Sequence, residues 1–203
     1  GALLDVFDVN RVEVLRGPQG SLYGKNTIGG AIKYVSKPLP EKVDGFASIT
    51  VGNYNQLDTK AAIGGPLFGD NSGLRARIAV ASLNRDGFGE NINTHQQVSD
   101  KEINALRFNL GAYSQDDFDV QFAFDWVDDK SGVRAAQMLA PNRFAPTALP
   151  LTDRYDVRNG MLNTNNTELK GVSATVNWRP SDSWALKYVV AKRESDTETN
   201  IDF

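Results

Sequence analysis

The sequence predicts an all-β protein whose larger part is a partial antiparallel β-barrel of the kind that spans a membrane. Within residues 41–203, apolar residues recur at every second position in segments of about ten residues, the period of a strand with one apolar and one polar face. Tight turns and long polar stretches alternate between these segments, as they do in membrane barrels. No apolar run approaches the roughly 20 residues that a membrane-spanning helix needs.

The composition removes several classes of function. The chain has 203 residues, with 22 Lys and Arg against 25 Asp and Glu, one histidine and no cysteine. Without cysteine there is no disulfide framework, thiolate nucleophile or cysteine-based metal site, and His95 alone cannot supply a two-histidine zinc site. The slight excess of acidic over basic residues gives no sign of the basic surface that binds nucleic acid. We therefore expect no enzyme activity, no cofactor, no metal centre and no nucleic-acid partner.

The first 40 residues differ in character from the rest. Two short strand patterns, RVEVLR and AIKYVSK, flank the glycine-rich stretch GPQGSLYGKNTIGG, and Pro38 and Pro40 follow. Glycines permit tight turns and close backbone approach. We therefore expect one unit over residues 1–40 and a second over residues 41–203. The chain opens without an initiator methionine and closes without a turn, so we expect it to be an internal piece of a longer protein.

Seven segments carry the alternating pattern after residue 40. In order they read VDGFASITVG, QLDTKAAIG, GLRARIAVASL, EINALRFNLGAY, FDVQFAFDW, ELKGVSATVNW and SWALKYVV. The clearest is FDVQFAFDW, whose apolar face consists of Phe118, Val120, Phe122, Phe124 and Trp126. In a strand that crosses a bilayer these five side chains face lipid, and the polar side chains between them, Asp119, Gln121 and Asp125, face the lumen.

The connections between the seven segments favour a membrane barrel. Tight turns rich in Gly, Asp, Asn and Ser are predicted at 69–73, 114–117 and 180–183, and long polar stretches at 84–101 and 128–167. A soluble β-sandwich shares the alternation, because one face of each sheet packs on a core. Charged side chains on the polar faces, aromatic residues at strand ends and a loop of about 40 residues favour the barrel. The sandwich remains the alternative at this point.

A motif in the first unit resembles a known family. The stretch RVEVLRGPQGSLYGKNTIGGAIKYVSKP is similar to the end of the plug domain of TonB-dependent outer-membrane receptors, just before the first barrel strand. The positions in register are Glu13, Arg16, Gly17, Gly20, Leu22, Tyr23, Gly24, Gly29, Gly30 and Ile32. The resemblance implies that residues 1–40 are the C-terminal part of a globular plug domain and residues 41–203 the N-terminal strands of the transmembrane β-barrel.

The resemblance also implies a function. Receptors of this family take up a scarce nutrient across the bacterial outer membrane, most often a ferric siderophore. Others take up saccharides, haem or cobalamin. Their partners are outer-membrane lipid, the small-molecule ligand and the periplasmic energy-coupling protein TonB, which acts through the N-terminal part of the receptor. A soluble β-sandwich binding module is the alternative function.

Two charged residues of the motif are candidates for attaching the plug to the barrel. Glu13 and Arg16 lie three positions apart, so on a strand they point to opposite faces and do not pair with each other. Each is expected to reach a charge on the inner wall, such as Arg75, Arg77 or Asp119. The alternative is that both are solvated. For Tyr23 we expect packing within the plug.

The remaining candidates concern ligands. We expect substrate contacts at the plug apex and in the loops at 84–101 and 128–167. The second loop contains Arg134, Arg143, Arg154 and Arg158, which could attract an anionic chelate or simply be solvated. His95 is expected to be a solvent-facing loop residue rather than a contact to an iron chelate. GSLYGKNT is not a phosphate-binding loop, because Gln19 and Asn26 stand where that motif needs Gly and Ser or Thr. The aspartates at 125, 128 and 129 lack the calcium-loop spacing.

Overall fold

The computed structural model describes residues 7–69, 72–114, 117–134, 140 and 149–200. Its regular elements there are β-strands and one helical turn, α1 (Gly20–Tyr23), joined by turns and irregular connections. The strands are β1 (Val9–Arg16), β2 (Gly30–Ser36), β3 (Asp44–Gly52), β4 (Gln56–Pro66), β5 (Leu74–Arg85), β6 (Gly89–Asn91), β7 (Gln96–Val98), β8 (Lys101–Tyr113), β9 (Phe118–Asp129), β10 (Thr164–Ser181) and β11 (Trp184–Asn200). Within the described part of the chain, no helix is long and apolar enough to cross a membrane.

Seven strands form one open antiparallel sheet. Its spatial order is β3, β4, β5, β8, β9, β10, β11, so each strand of the sheet pairs with the next one along the chain. This meander confirms the predicted fold class and the seven predicted strands. The edges are β3 and β11, and the sheet does not close on itself.

The strand register separates two faces of the sheet. Arg107 lies opposite Asp125, and Asp125 lies opposite Gly171 of β10. We call the face that carries Arg107 and Asp125 the inner face. Because side chains alternate between the two faces along a strand, Arg75, Arg77 and Asp119 also lie on the inner face. The five aromatic and aliphatic side chains of β9 predicted to face lipid lie on the opposite, outer face, where Phe118 and Phe122 are exposed. Contact of this outer face with lipid stays a prediction.

The first unit is a two-stranded hairpin, β1–β2, that carries the family motif. Val12 lies opposite Tyr34 and Arg16 lies opposite Gly30. Gly24 has a φ of +88°, a left-handed conformation that L side chains rarely adopt, and it follows α1 directly. The two strand patterns predicted on either side of the glycine-rich stretch are therefore confirmed.

A short connection joins the hairpin to the sheet. It runs from the end of β2 at Ser36 to the start of β3 at Asp44, so the prolines at 38 and 40 mark the change of pattern. Leu39 in this connection is buried, and its Cδ1 lies 2.6 Å from where a Cβ on Gly111 would stand. The absence of a side chain at Gly111 therefore makes room for Leu39 on the inner face.

The connections within the sheet lie at two ends. The turn end holds the short connections 67–73, 114–117 and 182–183, which agrees with the predicted tight turns, although residues 70–71 and 115–116 lie outside the described part of the chain. The loop end holds the connections 53–55, 86–100 and 130–163. The first of these is short and contains Tyr54 and Asn55 with φ of 59° and 53°. The second contains the small hairpin β6–β7, which the alternation pattern did not predict.

Candidate functional site

The chain segment just before β1 packs on the inner face of the sheet. Phe7 is buried in a cluster with four alanines of β4, β5 and β8, namely Ala62, Ala79, Ala81 and Ala105. Alternation places these alanines on the inner face, and their small side chains let the phenyl ring lie close to the sheet. The segment that leads into the motif hairpin is therefore fixed on strands β4, β5 and β8.

A buried ion pair joins the same segment to β5. Arg77 donates from Nη2 to Oδ1 of Asp8 at 2.6 Å and from Nε to Oδ2 at 2.8 Å, and both side chains are only 1% exposed. Arg77 also donates from Nη1 to Asp44 at 3.4 Å. A bidentate ion pair shielded from water fixes the relative orientation of its two side chains. Loss of either partner leaves the other as an uncompensated buried charge.

The neighbouring strands explain how Arg77 reaches these carboxylates. Gly64 lies opposite Arg77 in the β4–β5 register, and a Cβ on Gly64 would stand 2.9 Å from Cβ of Arg77. The arginine side chain therefore crosses β4 where no side chain obstructs it. Arg107 of β8 donates to the carbonyl oxygen of Phe7 at 3.4 Å, with its guanidinium 5.3 Å from the ring centroid. The contacts of Phe7 and Asp8 with β4, β5 and β8 are called here the Asp8 contact.

The attachment predicted for Glu13 is wrong in its partner. Glu13 accepts from Nε of Arg11 at 2.7 Å and lies 3.2 Å from Nζ of Lys33, so its ion pairs stay within the hairpin. The hydrogen bond from Arg11, and then that from Lys33, hold the pKa of Glu13 below its ordinary value. Among the described residues, no ion pair joins Arg16 to the sheet either. Among the described residues before β1, Asp8 pairs with the inner face of the sheet, and the sequence analysis did not single it out.

The wall charges proposed as partners for Glu13 and Arg16 are engaged elsewhere. Arg77 pairs with Asp8, and Arg75 lies 3.3 Å from Glu41 and over the ring of Tyr113. Asp119 pairs with Arg179 at 3.2 Å.

Further along the inner face, the ion pairs are open to water. Arg193 of β11 donates to Asp125 of β9 at 3.3 Å, and the arginine side chain is 69% exposed. The pair crosses β10 at Gly171, where a Cβ would stand 2.5 Å from Oδ2 of Asp125. This arrangement repeats the geometry of Arg77 across Gly64, but among the described residues no segment covers the arginine. Exposed pairs contribute little to stability.

A cavity of about 410 Å³ separates the hairpin from strands β8, β9 and β10. The hairpin and the connection after it contribute Asn10, Arg11, Val35, Ser36, Lys37, Pro38 and Leu39, and the sheet contributes Asn109, Gln121, Phe122, Ala123, Ser173 and Thr175. The inner-face side chains on the sheet side are amides, hydroxyls and one methyl group, and the apolar side chains Val35, Pro38 and Leu39 lie on the other side. We call this cavity the polar gap.

The two long connections at the loop end pack on each other. Ile92 donates its backbone N–H to the carbonyl of Val157 at 3.0 Å, and the N–H of Val157 donates to the carbonyl of Glu90 at 2.9 Å. Asn91 is fully buried and donates from Nδ2 to the carbonyl of Asn159 at 3.1 Å. The connections 86–100 and 149–163 therefore form one unit, called here the loop unit.

Other residues proposed as ligand contacts lie in or near the loop unit. His95 has an exposed side chain and lies 2.7 Å from Glu90, in agreement with the solvent-facing position predicted for it. Arg154 donates to the hydroxyl of Tyr155 and Arg158 to the carbonyl of Leu149. Arg143 lies outside the described residues. No group of three metal-ligating side chains that could hold an ion occurs within the described ranges.

Comparison with known proteins finds a family match for the first part of the chain and a fold match for nearly all of it. Residues 1–31 match the family described as the TonB-dependent receptor plug domain. The structure superposes on the ferric yersiniabactin uptake receptor FyuA from Yersinia pestis with a TM-score of 0.81 and 18% identity, over 97% of this chain and 30% of that one. The family match and the superposition together support a fragment of a TonB-dependent receptor. The pyoverdine outer-membrane receptor FpvA from Pseudomonas aeruginosa gives a TM-score of 0.78 and 16% identity, over 94% of this chain and 27% of that one.

Curated relatives of the chain include receptors and a transporter. The pesticin receptor of Yersinia pestis is 38% identical over 60 residues, 30% of this chain and 9% of the relative. The vitamin B12 transporter of Vibrio vulnificus is 22% identical over 200 residues, 96% of this chain and 28% of the relative. The chain therefore spans less than a third of the length of these relatives. Its location is the bacterial outer membrane.

The plug motif of the receptor occupies the hairpin and its glycine-rich loop. In that loop Leu22 is 79% exposed and Tyr23 is 47% exposed, so the packing expected for Tyr23 is not formed among the described residues. The functional roles of the motif residues stay predictions.

Proposed function

We propose that this chain supplies the end of the plug and the first wall strands of a receptor that takes up a ferric siderophore across the outer membrane. The Asp8 contact carries the proposal, because a segment that matches the plug family is fixed on the inner, charged face of a barrel-type sheet. Energy would reach the plug from the periplasmic coupling protein TonB. The chain itself performs no chemical conversion in this scheme.

Relatives support the substrate class. Similar receptors are named for ferric yersiniabactin, pyoverdine and ferrioxamine B, the last being 31% identical over 77 residues in Salmonella typhimurium. Vitamin B12 is a second candidate, because the transporter named for it is similar along nearly the whole chain. We place the substrate contacts on the loop unit and the plug apex, with Arg154 and Arg158 near an anionic chelate.

The outer face of the sheet would meet outer-membrane lipid. On β9 the apolar side chains run from Phe118 to Trp126, and the indole Nε1 of Trp126 donates to Glu168 at 2.9 Å. At the opposite border Trp178 and Trp184 stack edge to face with centroids 5.7 Å apart. An apolar band bordered by aromatic rings is the expected pattern of a barrel wall in a bilayer.

Growth on single iron sources tests the proposal. A strain that lacks the receptor gene is grown in iron-limited medium with ferric yersiniabactin, pyoverdine or ferrioxamine B as the only iron source, and in a vitamin B12 auxotroph with vitamin B12. We expect the full-length receptor to restore growth on at least one iron chelate, and only where the coupling protein is present. Rescue by vitamin B12 alone would overturn the siderophore assignment. Rescue without the coupling protein would overturn the energised mechanism.

A further inference from the structure

We propose that the transported solute passes the plug through the polar gap, along strands β8, β9 and β10, while the plug stays attached to the wall at the Asp8 contact. The inference rests on the proposed function, because it assigns a path to the solute that the receptor takes up. It divides the inner wall into a fixed side and a side along which solute moves.

The chemistry of the gap suits a hydrated polar solute. Its sheet side offers amides from Asn109 and Gln121 and hydroxyls from Ser173 and Thr175. Such groups both donate and accept hydrogen bonds, so they can replace water around hydroxyl, amide or carboxylate groups of a solute. The aspartates on the same wall are already paired, Asp119 with Arg179 and Asp125 with Arg193.

The hairpin side of the gap favours negatively charged groups. It presents the basic side chains of Arg11 and Lys37. Arg11 shares its charge with Glu13, and Lys37 lies 5.6 Å from the ring centroid of Phe46. An acidic chelate would therefore meet cationic groups on one wall of the gap and uncharged hydrogen-bonding groups on the other.

Small side chains give the gap its width. Ala123 of β9 lies opposite Ser173 of β10, and both residues line the gap. Their small side chains leave space above the backbone of these two neighbouring strands. Above β4 and β5 the corresponding space is filled, because the ring of Phe7 packs on Ala62 and Ala79.

Energetics favour opening along the gap rather than at the Asp8 contact. Separating Asp8 from Arg77 would expose two charges that are now shielded from water and paired at 2.6 Å. The ion pairs of Glu13 with Arg11 and Lys33 lie wholly within the hairpin, so they move with it and cost nothing when it shifts. A hairpin under load would therefore pivot about the Asp8 contact and widen the polar gap.

A bulky side chain in the gap gives the first test. In the full-length receptor, Ser173→Trp fills the gap, and the matched control Ala191→Trp adds the same ring at the neighbouring position outside it. Uptake of radioactive iron is measured in three separate assays, in which the iron is supplied as its yersiniabactin, pyoverdine or ferrioxamine B chelate. We expect Ser173→Trp to slow uptake about tenfold relative to Ala191→Trp, with chelate binding unchanged. Equal uptake by the two folded variants would overturn the inference.

Chemical tethers give the second test. One double variant, Ser36→Cys with Ser173→Cys, is cross-linked across the gap with a flexible bismaleimide. A second, Phe7→Cys with Ala79→Cys, is cross-linked in the same way at the Asp8 contact. Each cross-linked receptor is compared with the same variant before cross-linking. We expect the gap tether to stop uptake and the contact tether to leave it unchanged. The reverse pattern, or uptake that ignores both tethers, would overturn the inference. Absence of uptake of every chelate by the unmodified receptor would instead refute the proposed function.

Discussion

The Asp8 contact and the Asp125–Arg193 pair place the same chemistry in two environments. In each, an arginine on the inner face crosses a glycine to reach a carboxylate, Arg77 across Gly64 and Arg193 across Gly171. Arg77 is 1% exposed because Phe7 and Asp8 cover it, whereas Arg193 is 69% exposed. Identical groups in similar geometry therefore differ in energetic importance according to what lies above them.

Removing each arginine should give the largest contrast. Arg77→Met in the full-length receptor leaves Asp8 buried without its partner and should lower the free energy of unfolding by about 3–5 kcal/mol. Arg193→Met, the control on the exposed pair, should change it by less than about 1 kcal/mol. Urea unfolding of the receptor in lipid vesicles measures both. The double change Asp8→Leu with Arg77→Met should recover part of the loss, and equal effects of the two single changes would contradict the contrast.

The two faces of β9 should differ nearly as much. Phe122 lies on the outer face and is 42% exposed, and Gln121 lies on the inner face at the polar gap. Lysine at a lipid-facing position near the bilayer midplane costs roughly 2–4 kcal/mol, whereas water can solvate it at Gln121. We expect Phe122→Lys to reduce the heat-resistant folded band on an unheated gel and Gln121→Lys to leave it nearly intact. Folding of the wild-type receptor in plain buffer, without lipid or detergent, would contradict the membrane assignment.

The two glycines that the arginines cross should tolerate alanine differently. A Cβ on Gly64 would meet the carbonyl oxygen of Ala76 and Cβ of Arg77, both at 2.9 Å, and neither can move without a shift of the backbone. A Cβ on Gly171 would meet the carboxylate end of Asp125, which can rotate away. Gly64→Ala should therefore destabilise the receptor by roughly 1–3 kcal/mol and Gly171→Ala by less. Urea midpoints in vesicles give the comparison, and the opposite order would count against this packing.

The smallest effect is expected from Glu13, whose contacts are local and exposed. Because its pKa is lowered in the folded hairpin, its contribution is present above the pKa of the unfolded chain and is lost as pH falls through the folded pKa. Glu13→Gln should thus melt slightly below the wild type at about pH 7 and together with it at about pH 3. A difference in melting temperature that persists at the acidic pH would show that the carboxylate charge is not its cause.

The alternation predicted the sheet better than it predicted the contacts. Two-residue periodicity identified all seven sheet strands and both strands of the hairpin, because a strand's faces follow directly from local order along the chain. The partners of Glu13 could not be derived in this way, since its pair with Lys33 depends on the register of β1 against β2, which alternation along one strand does not fix. Asp8 stands directly before the motif, and a buried role for it follows only once Arg77 is placed opposite.

The loops illustrate the same limit. The stretch 84–101 was predicted as polar and long, but β6 and β7 are only three residues each, too short for a periodic signal. Asn91 is fully buried although asparagine usually lies in exposed turns, because the carbonyl of Asn159 in the other loop accepts from its amide. A contact between two loops that are separated along the chain by strands β8 and β9 gives no local pattern in the sequence.

The loop unit has a consequence for recognition by antibodies. Gln96 and Asn163 bind each other through two hydrogen bonds, from Nε2 to the carbonyl at 2.7 Å and from the backbone N–H to Oε1 at 2.9 Å, so the two loops share one outer surface. An antibody raised against the folded receptor would contact both segments at once. A serum raised against a synthetic peptide of residues 86–100 alone would see the conformation of an isolated segment. Such a serum should stain the denatured receptor on a blot and bind poorly to living cells.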